Sequence, residues 1–361
     1  MPLRLGIIGT GSMASSHATH YAVAKGVELT ACCDIIPERA AEFAGKFGIK
    51  RHYTNYQDML ENEQLDGVSV VTVDALHAKA STAALAKGIG VLCEKPLAAT
   101  VKEAEAMAAA ARASGRPAMV NFSKRNSSAL QQAHRLIESG RIGRVMHVEA
   151  SYLQSWLVDD YWGDWRSDHR WLWRLSENHG SMGVLGDLGC HIFDMAQFLC
   201  GDFSDIYCTL RTFEKGTPGI PGDYDLKAND SFSATVNFAS GAIGSIHSSR
   251  WATGHKNREY ICVYGEKGAV KVDFEVSDTV LFRHGKDADG EWVKSECKPT
   301  PTNYARFIKS LKTGVHDASD FEQGLKVQRY MAASVASSRT GRKVNLSEPQ
   351  IAASPRVPVS V

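Results

Sequence analysis

The first residues of the chain couple an apolar segment to a glycine-rich turn. Residues 3–8 are mostly apolar and lead directly into a G-x-G-x-x-A pattern, Gly9-Thr10-Gly11-Ser12-Met13-Ala14. Gly9 permits a tight turn, Gly11 lets the backbone approach a pyrophosphate, and Ala14 lets the next helix pack on the strand. Phosphates would lie at the N-terminus of that helix, where unpaired N–H groups favour an anion. The pattern predicts a dinucleotide site, with Gly9, Gly11, Ser12 and Met13 against the cofactor.

An acidic residue follows the second apolar segment. Val27 to Cys33 ends in Asp34, at the distance of about 20 residues that a dinucleotide fingerprint requires. We expect Asp34 to bond a ribose diol. Its carboxylate would repel a 2′-phosphate, and Ile35 and Ile36 follow it rather than Arg or Lys, so NAD is favoured over NADP. The alternative is a glycine turn in a cofactor-free α/β protein.

A lysine follows another predicted strand, Gly90 to Cys93, in the turn Glu94-Lys95-Pro96. Ligands of doubly wound sheets bind at the carboxyl ends of the strands. Lys95 there could contact a nicotinamide ribose and a substrate hydroxyl, lower the pKa of that hydroxyl and stabilise the alkoxide formed during hydride loss. The alternative is a solvated loop lysine.

A histidine and an aspartate share one predicted helix. The segment 186–194 opens a helix, predicted over Asp187 to Leu199, in which Asp187 and His191 stand at i and i+4 on one face. A histidine beside a carboxylate can hold a pKa near neutrality and act as general base toward an alcohol. Alternatively, Asp187 only caps the helix and His191 fills a polar niche.

Five tryptophans lie within residues 156–173, interspersed with arginines; they are Trp156, Trp162, Trp165, Trp171 and Trp173, with Arg166, Arg170 and Arg174. Their rings could stack on sugar rings. They could equally pack in an interdomain core or in an oligomer interface.

Two different patterns divide the chain. Up to residue 122, apolar strands alternate with helical segments, which predicts a parallel sheet covered by helices. Beyond Arg125, longer strands separated by turns predict antiparallel pairing. The predicted helices are Pro37 to Phe47, Ala78 to Lys87, the segment from the Thr100–Glu103 capping box to Gly115, Ala129 to Ser139, Tyr304 to Lys312 and Phe321 to Ser338. The other predicted strands are Gly67 to Val73, Val145 to Tyr152, Ser231 to Asn237, Ala242 to Ser248, Glu259 to Tyr264 and Ala269 to Phe274.

The resulting architecture is α/β. We expect a doubly wound Rossmann domain over residues 1–122 and a second α/β domain over 123–361, with a large, open, mainly antiparallel sheet and the ligand cleft between the two. A C-terminal helix would pack back on the first domain, and an extended tail would begin at Glu348.

Composition narrows the class of partner. The 361 residues carry a formal charge of +1 without a basic stripe, so neither nucleic acid nor a membrane surface is expected. No apolar run approaches the roughly 20 residues of a membrane span, and the N-terminus enters a strand at once without a signal peptide, which favours a cytoplasmic protein. The eight scattered cysteines form no C-x-x-C pair, so no metal site is expected.

Three motifs in order resemble one known family. The turn at Gly9, the Glu94-Lys95-Pro96 turn and Gly186-Asp187-x-x-x-His191 are similar to those of the Gfo/Idh/MocA oxidoreductases, which include glucose-fructose oxidoreductase and inositol dehydrogenase. The resemblance spans nearly the whole chain and includes Val70-Val71-Thr72 with His77, residues 119–125 and residues 341–344. Val73 and Asp74 depart from it, since proline and asparagine are usual at these positions.

The resemblance implies a catalytic set of Lys95, Asp187 and His191, with His191 as general base and Asp187 orienting the substrate. Beside Asp34 and Lys95, the expected cofactor contacts then include Thr72, His77 and Glu94. The expected substrate contacts are Lys95, Arg125, Trp165, Arg166, Asp187 and His191.

The function implied is an NAD-dependent dehydrogenase or reductase acting on a CH–OH carbon of a sugar, a cyclic polyol such as inositol, or an anhydrosugar. A homodimer or homotetramer built through the open sheet is expected. Two alternatives are a redox-neutral glycosidase that uses bound NAD transiently, whose members lack the lysine, and a non-catalytic sugar or nucleotide sensor.

Overall fold

The chain divides into two compact units. The computed structural model describes residues 1–217, 219, 222–285 and 290–346, so the tail predicted from Glu348 lies outside the described residues. Unit 1 comprises Met1–Ser123 and Pro301–Gln328. Unit 2 comprises Lys124–Thr300 and the chain from Arg329 onward.

Unit 1 is built on a six-stranded parallel sheet flanked by helices. Its strands are β1 (Leu3–Ile8), β2 (Val27–Cys33), β3 (Arg51–Tyr53), β4 (Gly67–Val70), β5 (Gly90–Cys93) and β6 (Ala118–Val120). Its first helices are α1 (Ser12–Ala22), α2 (Pro37–Phe47), α3 (Tyr56–Asn62), α4 (Asp74–Ala86) and α5 (Val101–Ser114). The strand order β3-β2-β1-β4-β5-β6 reverses between β1 and β4. This is the doubly wound order whose switch point binds nucleotides, and the predicted fold class is confirmed.

Local signals explain several helix ends in unit 1. Helix α2 has proline in its first turn and ends at Gly48 in the left-handed region. The Thr100 hydroxyl caps α5 by accepting from the N–H of Glu103, as the capping box predicts. Helix α4 begins four residues earlier than predicted, because Val73 is extended and Asp74 places its negative charge in the first turn. Strand β4 correspondingly ends at Val70, three residues before its predicted end.

Unit 2 contains α6 (Ser128–Glu138), α7 (His169–Leu172) and α8 (Cys190–Cys200) beside a large sheet. The strands are β7 (Val145–Leu153), β8 (Phe203–Arg211), β9 (Ser231–Phe238), β10 (Ile243–Ser249), β11 (Arg258–Gly265), β12 (Gly268–Asp273), β13 (Ser277–His284) and β14 (Val293–Ser295). All pairs are antiparallel except the parallel pair β7–β10. The sheet is therefore mixed and mostly antiparallel, as expected, although β13 and β14 were not predicted.

The remaining elements are α9 (Asn303–Thr313), α10 (Phe321–Thr340) and β15 (Val344–Asn345). Strand β15 pairs with β8 and completes the nine-stranded order β14-β13-β12-β11-β7-β10-β9-β8-β15. Helix α9 belongs to unit 1 and α10 spans the point at which the chain passes from unit 1 to unit 2. None of the helices in the described ranges is both long and apolar enough to span a membrane.

Candidate active site

The first glycine of the turn is required by the protein's own backbone. Gly9 has φ of +91°, and its N–H donates to the Cys33 carbonyl at 2.7 Å. A Cβ at Gly9 would lie 2.4 Å from the Val71 carbonyl oxygen. Any other residue would therefore be strained and would collide with the loop after β4.

Gly11, the second glycine of the turn, is not required by the protein's own backbone. Gly11 precedes α1 with φ of −68° and ψ of −173°, a conformation open to any residue. A Cβ there would meet no atom of the described residues within 4 Å. Neither strain nor packing explains this glycine, whereas close approach of a ligand to the N-terminus of α1 does. The residues present thus fit a pyrophosphate.

Asp34 follows β2 and lies beside the glycine turn. One carboxylate oxygen accepts from the N–H and the hydroxyl of Thr10, each at 2.9 Å. The other accepts from the N–H of Ile36 at 3.0 Å and from Arg39 Nη2 at 2.7 Å. Burial raises the pKa of the Asp34 carboxyl, but the hydrogen bonds from Arg39, Ile36 and Thr10 outweigh it, and the pKa lies below its ordinary value. The carboxylate is therefore a fixed acceptor.

His77 is bound to backbone on both sides. Its ring is fully buried, with Nδ1 2.9 Å from the Pro96 carbonyl oxygen and Nε2 3.1 Å from the Thr72 carbonyl oxygen. The sequence predicted a cofactor contact for this side chain. The structure places the ring between the loops after β4 and β5, where it holds their backbone, and the cofactor contact stays a prediction.

Glu94 is similarly directed into the protein. Its Oε1 lies 2.8 Å from His17 Nε2 and 2.6 Å from Asn121 Nδ2, and the side chain is almost entirely buried. Burial raises the pKa of Glu94, but the hydrogen bonds from His17 and Asn121 outweigh it and lower the pKa to about 2. These contacts support the turn from within unit 1, and the contact between Glu94 and the cofactor stays a prediction.

Lys95 is the half-buried residue of this turn. It follows β5, while Gly9, Asp34 and Thr72 follow β1, β2 and β4. Because parallel strands end at the same edge of a sheet, unit 1 brings these predicted site residues together at its carboxyl edge.

Asp187 lies in unit 2 between two arginines. Its Oδ2 accepts from Arg250 Nη2 at 3.0 Å and lies 3.7 Å from Arg174 Nε. The Arg250 side chain is fully buried, whereas Asp187 is 30% exposed. Two guanidinium groups stabilise the ionised carboxylate while part of it faces solvent. Asp187 can therefore accept hydrogen bonds from a ligand.

The helix that carries Asp187 differs from the prediction. A π-helical turn, Leu185–Gly189, precedes α8, and Asp187 lies inside that turn rather than at a helix start. In the structure its carboxylate is paired with Arg250 and Arg174, an arrangement that goes beyond a simple helix cap. Gly186 lets this turn pass close to Met182, since a Cβ on residue 186 would lie 2.4 Å from Met182 Cβ.

His191 lies in the first turn of α8 and is 8% exposed. Its ring centroid is 6.2 Å from that of Tyr152 on β7. Burial raises the pKa of Tyr152 well above its ordinary value, and the Tyr152 hydroxyl donates to Asn257 Oδ1 at 3.0 Å. The tyrosine is thus a neutral phenol beside the histidine.

Three residues that the sequence predicts to contact the substrate differ in their exposure within unit 2. Arg125 is buried in a bidentate ion pair with Asp194, at 2.9 and 2.7 Å, and its side chain is 3% exposed. Trp165 is 2% exposed and belongs to a buried apolar cluster with Trp156, so its ring is part of the core. Arg166 is exposed and its guanidinium lies 4.6 Å from the Trp165 ring centroid. We therefore assign Arg125 and Trp165 to the interior of unit 2.

Some relevant residues have no sequence signal of their own. Arg250 lies 63 residues from Asp187 along the chain. Arg39, His17 and Asn121 likewise lie on other segments than the carboxylates with which they form hydrogen bonds. Within the described ranges, no three His, Cys, Asp or Glu side chains are grouped as a metal site would require.

Two family models match the chain. A model described as the oxidoreductase family, NAD-binding Rossmann fold, matches residues 3–122. A second, described as the GFO/IDH/MocA C-terminal domain, matches residues 130–271. The first match lies in unit 1 and the second in unit 2.

Known proteins align along most of the chain. Levoglucosan dehydrogenase of Pseudarthrobacter phenanthrenivorans is 29% identical over 309 residues, covering 79% of this chain and 77% of that protein. D-glucoside 3-dehydrogenase of Escherichia coli is 28% identical, and the alignment covers 96% of this chain and 98% of that protein. A solved structure of levoglucosan dehydrogenase in complex with NADH and levoglucosan has a TM-score of 0.85 and 27% identity, with 96% of this chain and 100% of that chain covered.

Three findings lead to one assignment. They are the glycine cradle formed by Gly9 and Gly11 at the switch point, the two family matches, and the relatives that align along most of their length. The chain belongs to the GFO/IDH/MocA oxidoreductase family, with an NAD-binding Rossmann fold in its first unit.

Proposed function

We propose that this protein is an NAD-dependent dehydrogenase or reductase acting on a CH–OH carbon of a sugar, a cyclic polyol or an anhydrosugar. The observation that carries the proposal is the position of Lys95. Residues 89–98 are buried except Lys95, which follows β5 at the edge of the sheet that also bears the glycine cradle. A cation presented in this way suits an oxygen that becomes negatively charged.

The residues of unit 1 would hold the cofactor as follows. The pyrophosphate would lie against Gly9, Gly11 and the N–H groups of Ser12 and Met13, and Asp34 would accept from the adenosine ribose hydroxyls. Thr72 and Lys95 would lie toward the nicotinamide end. When bound there, NAD supplies an acceptor for hydride. The ionised Asp34 favours NAD over NADP, because it repels a 2′-phosphate.

The reacting hydroxyl would be handled by three side chains. His191 takes the hydroxyl proton as general base, and Lys95 stabilises negative charge on the oxygen. Asp187 accepts hydrogen bonds from neighbouring hydroxyls and fixes the orientation of the ring, while Arg250 and Arg174 keep its carboxylate ionised. In the reductive direction, His191 returns the proton.

The relatives support this class of substrate. Levoglucosan dehydrogenase and D-glucoside 3-dehydrogenase both carry carbohydrates in their names. A carbohydrate also suits the partly exposed Asp187 carboxylate, because its neighbour Arg174 lies beside two aromatic rings. The rings of Trp171 and Trp173 are 5.1 and 4.6 Å from the Arg174 guanidinium. We propose a homodimer or homotetramer as the assembly, which light scattering of the purified protein tests.

The test is NADH formation with NAD or NADP and a panel of anhydrosugars, inositols, free sugars and glucosides. Net NADH with one class supports the dehydrogenase and identifies the substrate class. Glycoside cleavage that needs NAD but yields no net NADH would indicate the redox-neutral glycosidase. NAD binding without turnover of any compound would indicate a sensor.

A further inference from the structure

The turn that presents Lys95 is fixed from both sides by buried side chains. Its neighbours Glu94 and Pro96 are buried, and each is bonded to a different histidine. Both histidines are fully buried within unit 1.

On the first side, His17 bonds the Glu94 carboxylate. His17 Nε2 donates to Oε1 at 2.8 Å, and Asn121 Nδ2 donates to the same oxygen at 2.6 Å. The other oxygen, Oε2, accepts from the N–H of Lys95 at 3.3 Å. His17 is itself held, since its Nδ1 lies 2.9 Å from the Ser69 hydroxyl on β4. The carboxylate thus joins helix α1 to the backbone of Lys95.

On the second side, His77 bonds the Pro96 carbonyl. Its two ring nitrogens both face carbonyl oxygens, those of Pro96 and Thr72, and a carbonyl oxygen only accepts hydrogen bonds. The ring must therefore donate from both nitrogens, which requires the imidazolium form. It joins the loop after β4 to the turn after β5.

We propose that His17 and His77 are positioning residues that set the place of Lys95 relative to the glycine-turn helix and the Thr72 loop. The inference rests on the proposed function, in which Lys95 acts on the reacting oxygen. Neither ring needs to touch the substrate, because each acts through the backbone on one side of Lys95.

The first experiment measures the turn without any cofactor. Hydrogen exchange of the backbone amides in residues 90–98 is compared between the wild type, His17→Gln and His77→Gln. Both variants should exchange faster in this segment. Two matched controls should not: His20→Gln, whose ring on the next turn of α1 bonds the Ser16 carbonyl, and Ser81→Ala, a buried residue of α4.

The second experiment is a double-mutant cycle with Lys95→Ala. Each histidine variant alone should lower kcat by about tenfold to a hundredfold, since a misplacement of roughly 1 Å costs on the order of 100-fold. In the Lys95→Ala background, measured by single turnover with enzyme in excess, the same variants should cost no further activity. A merely structural role would lower the rate equally in both backgrounds.

The outcomes separate the two proposals. Near-full activity of Lys95→Ala would overturn the proposed role of Lys95. If Lys95→Ala is strongly impaired but still measurable by single turnover, the positioning role is overturned by either of two results. The histidine variants keep wild-type kcat and exchange, or they lose activity by the same factor in both backgrounds. Should His17→Gln fail to fold, the double variant His17→Gln with Glu94→Gln, which replaces both members of this hydrogen-bonded pair, is measured in its place.

Discussion

Arg39 donates two hydrogen bonds to a single oxygen of Asp34, from Nε at 3.2 Å and from Nη2 at 2.7 Å. The sequence favours NAD because no basic residue directly follows Asp34. In the structure, the cation nearby is Arg39 of α2, whose side chain is half exposed. Its guanidinium is paired with the same Asp34 carboxylate that is expected to exclude a 2′-phosphate. Under the proposed function, Asp34 would therefore affect cofactor choice twice, by its own charge and by holding Arg39.

We expect Asp34→Ser to admit NADPH. The substitution removes the repulsive charge and leaves Arg39 for the 2′-phosphate, to which a guanidinium binds well. Hydrogen bonds to charged groups contribute about 1.5–3 kcal/mol, so the Kd of NADPH should fall by roughly tenfold to a hundredfold, while that of NADH rises. Fluorescence titration with both cofactors measures this. Adding Arg39→Ala should abolish the gain; an unchanged Kd of NADPH in Asp34→Ser would contradict the idea.

The buried pair of Arg125 and Asp194 predicts a stability effect without a substrate effect. Arg125→Met leaves the Asp194 carboxylate buried without its partner, which costs about 3–5 kcal/mol of unfolding free energy. The double variant with Asp194→Leu removes both charges and should recover most of that loss. Urea unfolding measures both. A rise in KM without a loss of stability would return Arg125 to the substrate site.

The sequence predicted those features that depend on local signals. Helix α2 follows a proline and ends at a glycine, and α5 has a capping box, so the observed bounds agree with the prediction. The glycine turn is equally local, because Gly9 and Gly11 are close along the chain. The strand order at the switch point follows from the alternation of strands and helices.

Features that depend on distant partners could not be predicted in this way. The pairs Arg125 with Asp194 and Arg250 with Asp187 span 69 and 63 residues, so each exists only because the fold of unit 2 joins separate segments. Trp165 has the residue type of a sugar platform, but its burial depends on the packing of the whole loop. The π turn before α8 has no signal beyond Gly186 and Gly189, which also occur in loops.

The arginines around Asp187 predict how its neutral variant behaves. Asp187→Asn keeps the shape of the side chain but removes the charge that faces Arg250 and Arg174, and the amide orients a ligand less well. We expect kcat to fall on the order of 100-fold, with the Kd of NADH unchanged, because the glycine cradle lies in unit 1. Asp164→Asn, at an exposed pair with Arg166, is the matched control and should keep full activity. Equal loss in both variants would argue against a specific role for Asp187.

The buried imidazolium of His77 predicts a loss of stability in alkaline solution. Burial lowers the pKa of His77, but the Cys93 thiol, the Asp74 charge and the Pro96 carbonyl outweigh it and raise the pKa to about 10. A group whose pKa is raised in the folded state stabilises the protein fully below its unfolded pKa, about 6.5, and this contribution disappears as the pH rises to about 10. The free energy of unfolding should fall in this window by up to about 1.4 kcal/mol per pH unit.

His77→Asn has no titrating ring and should lack this dependence. Urea unfolding of the wild type and of His77→Asn at a series of pH values isolates the histidine, because the other titrating groups are common to both proteins. The two curves should converge as the pH rises, since the wild type loses the advantage that the imidazolium gives it. Parallel curves across the window would mean that the ring is neutral in the folded protein and bonds only one of the two carbonyls.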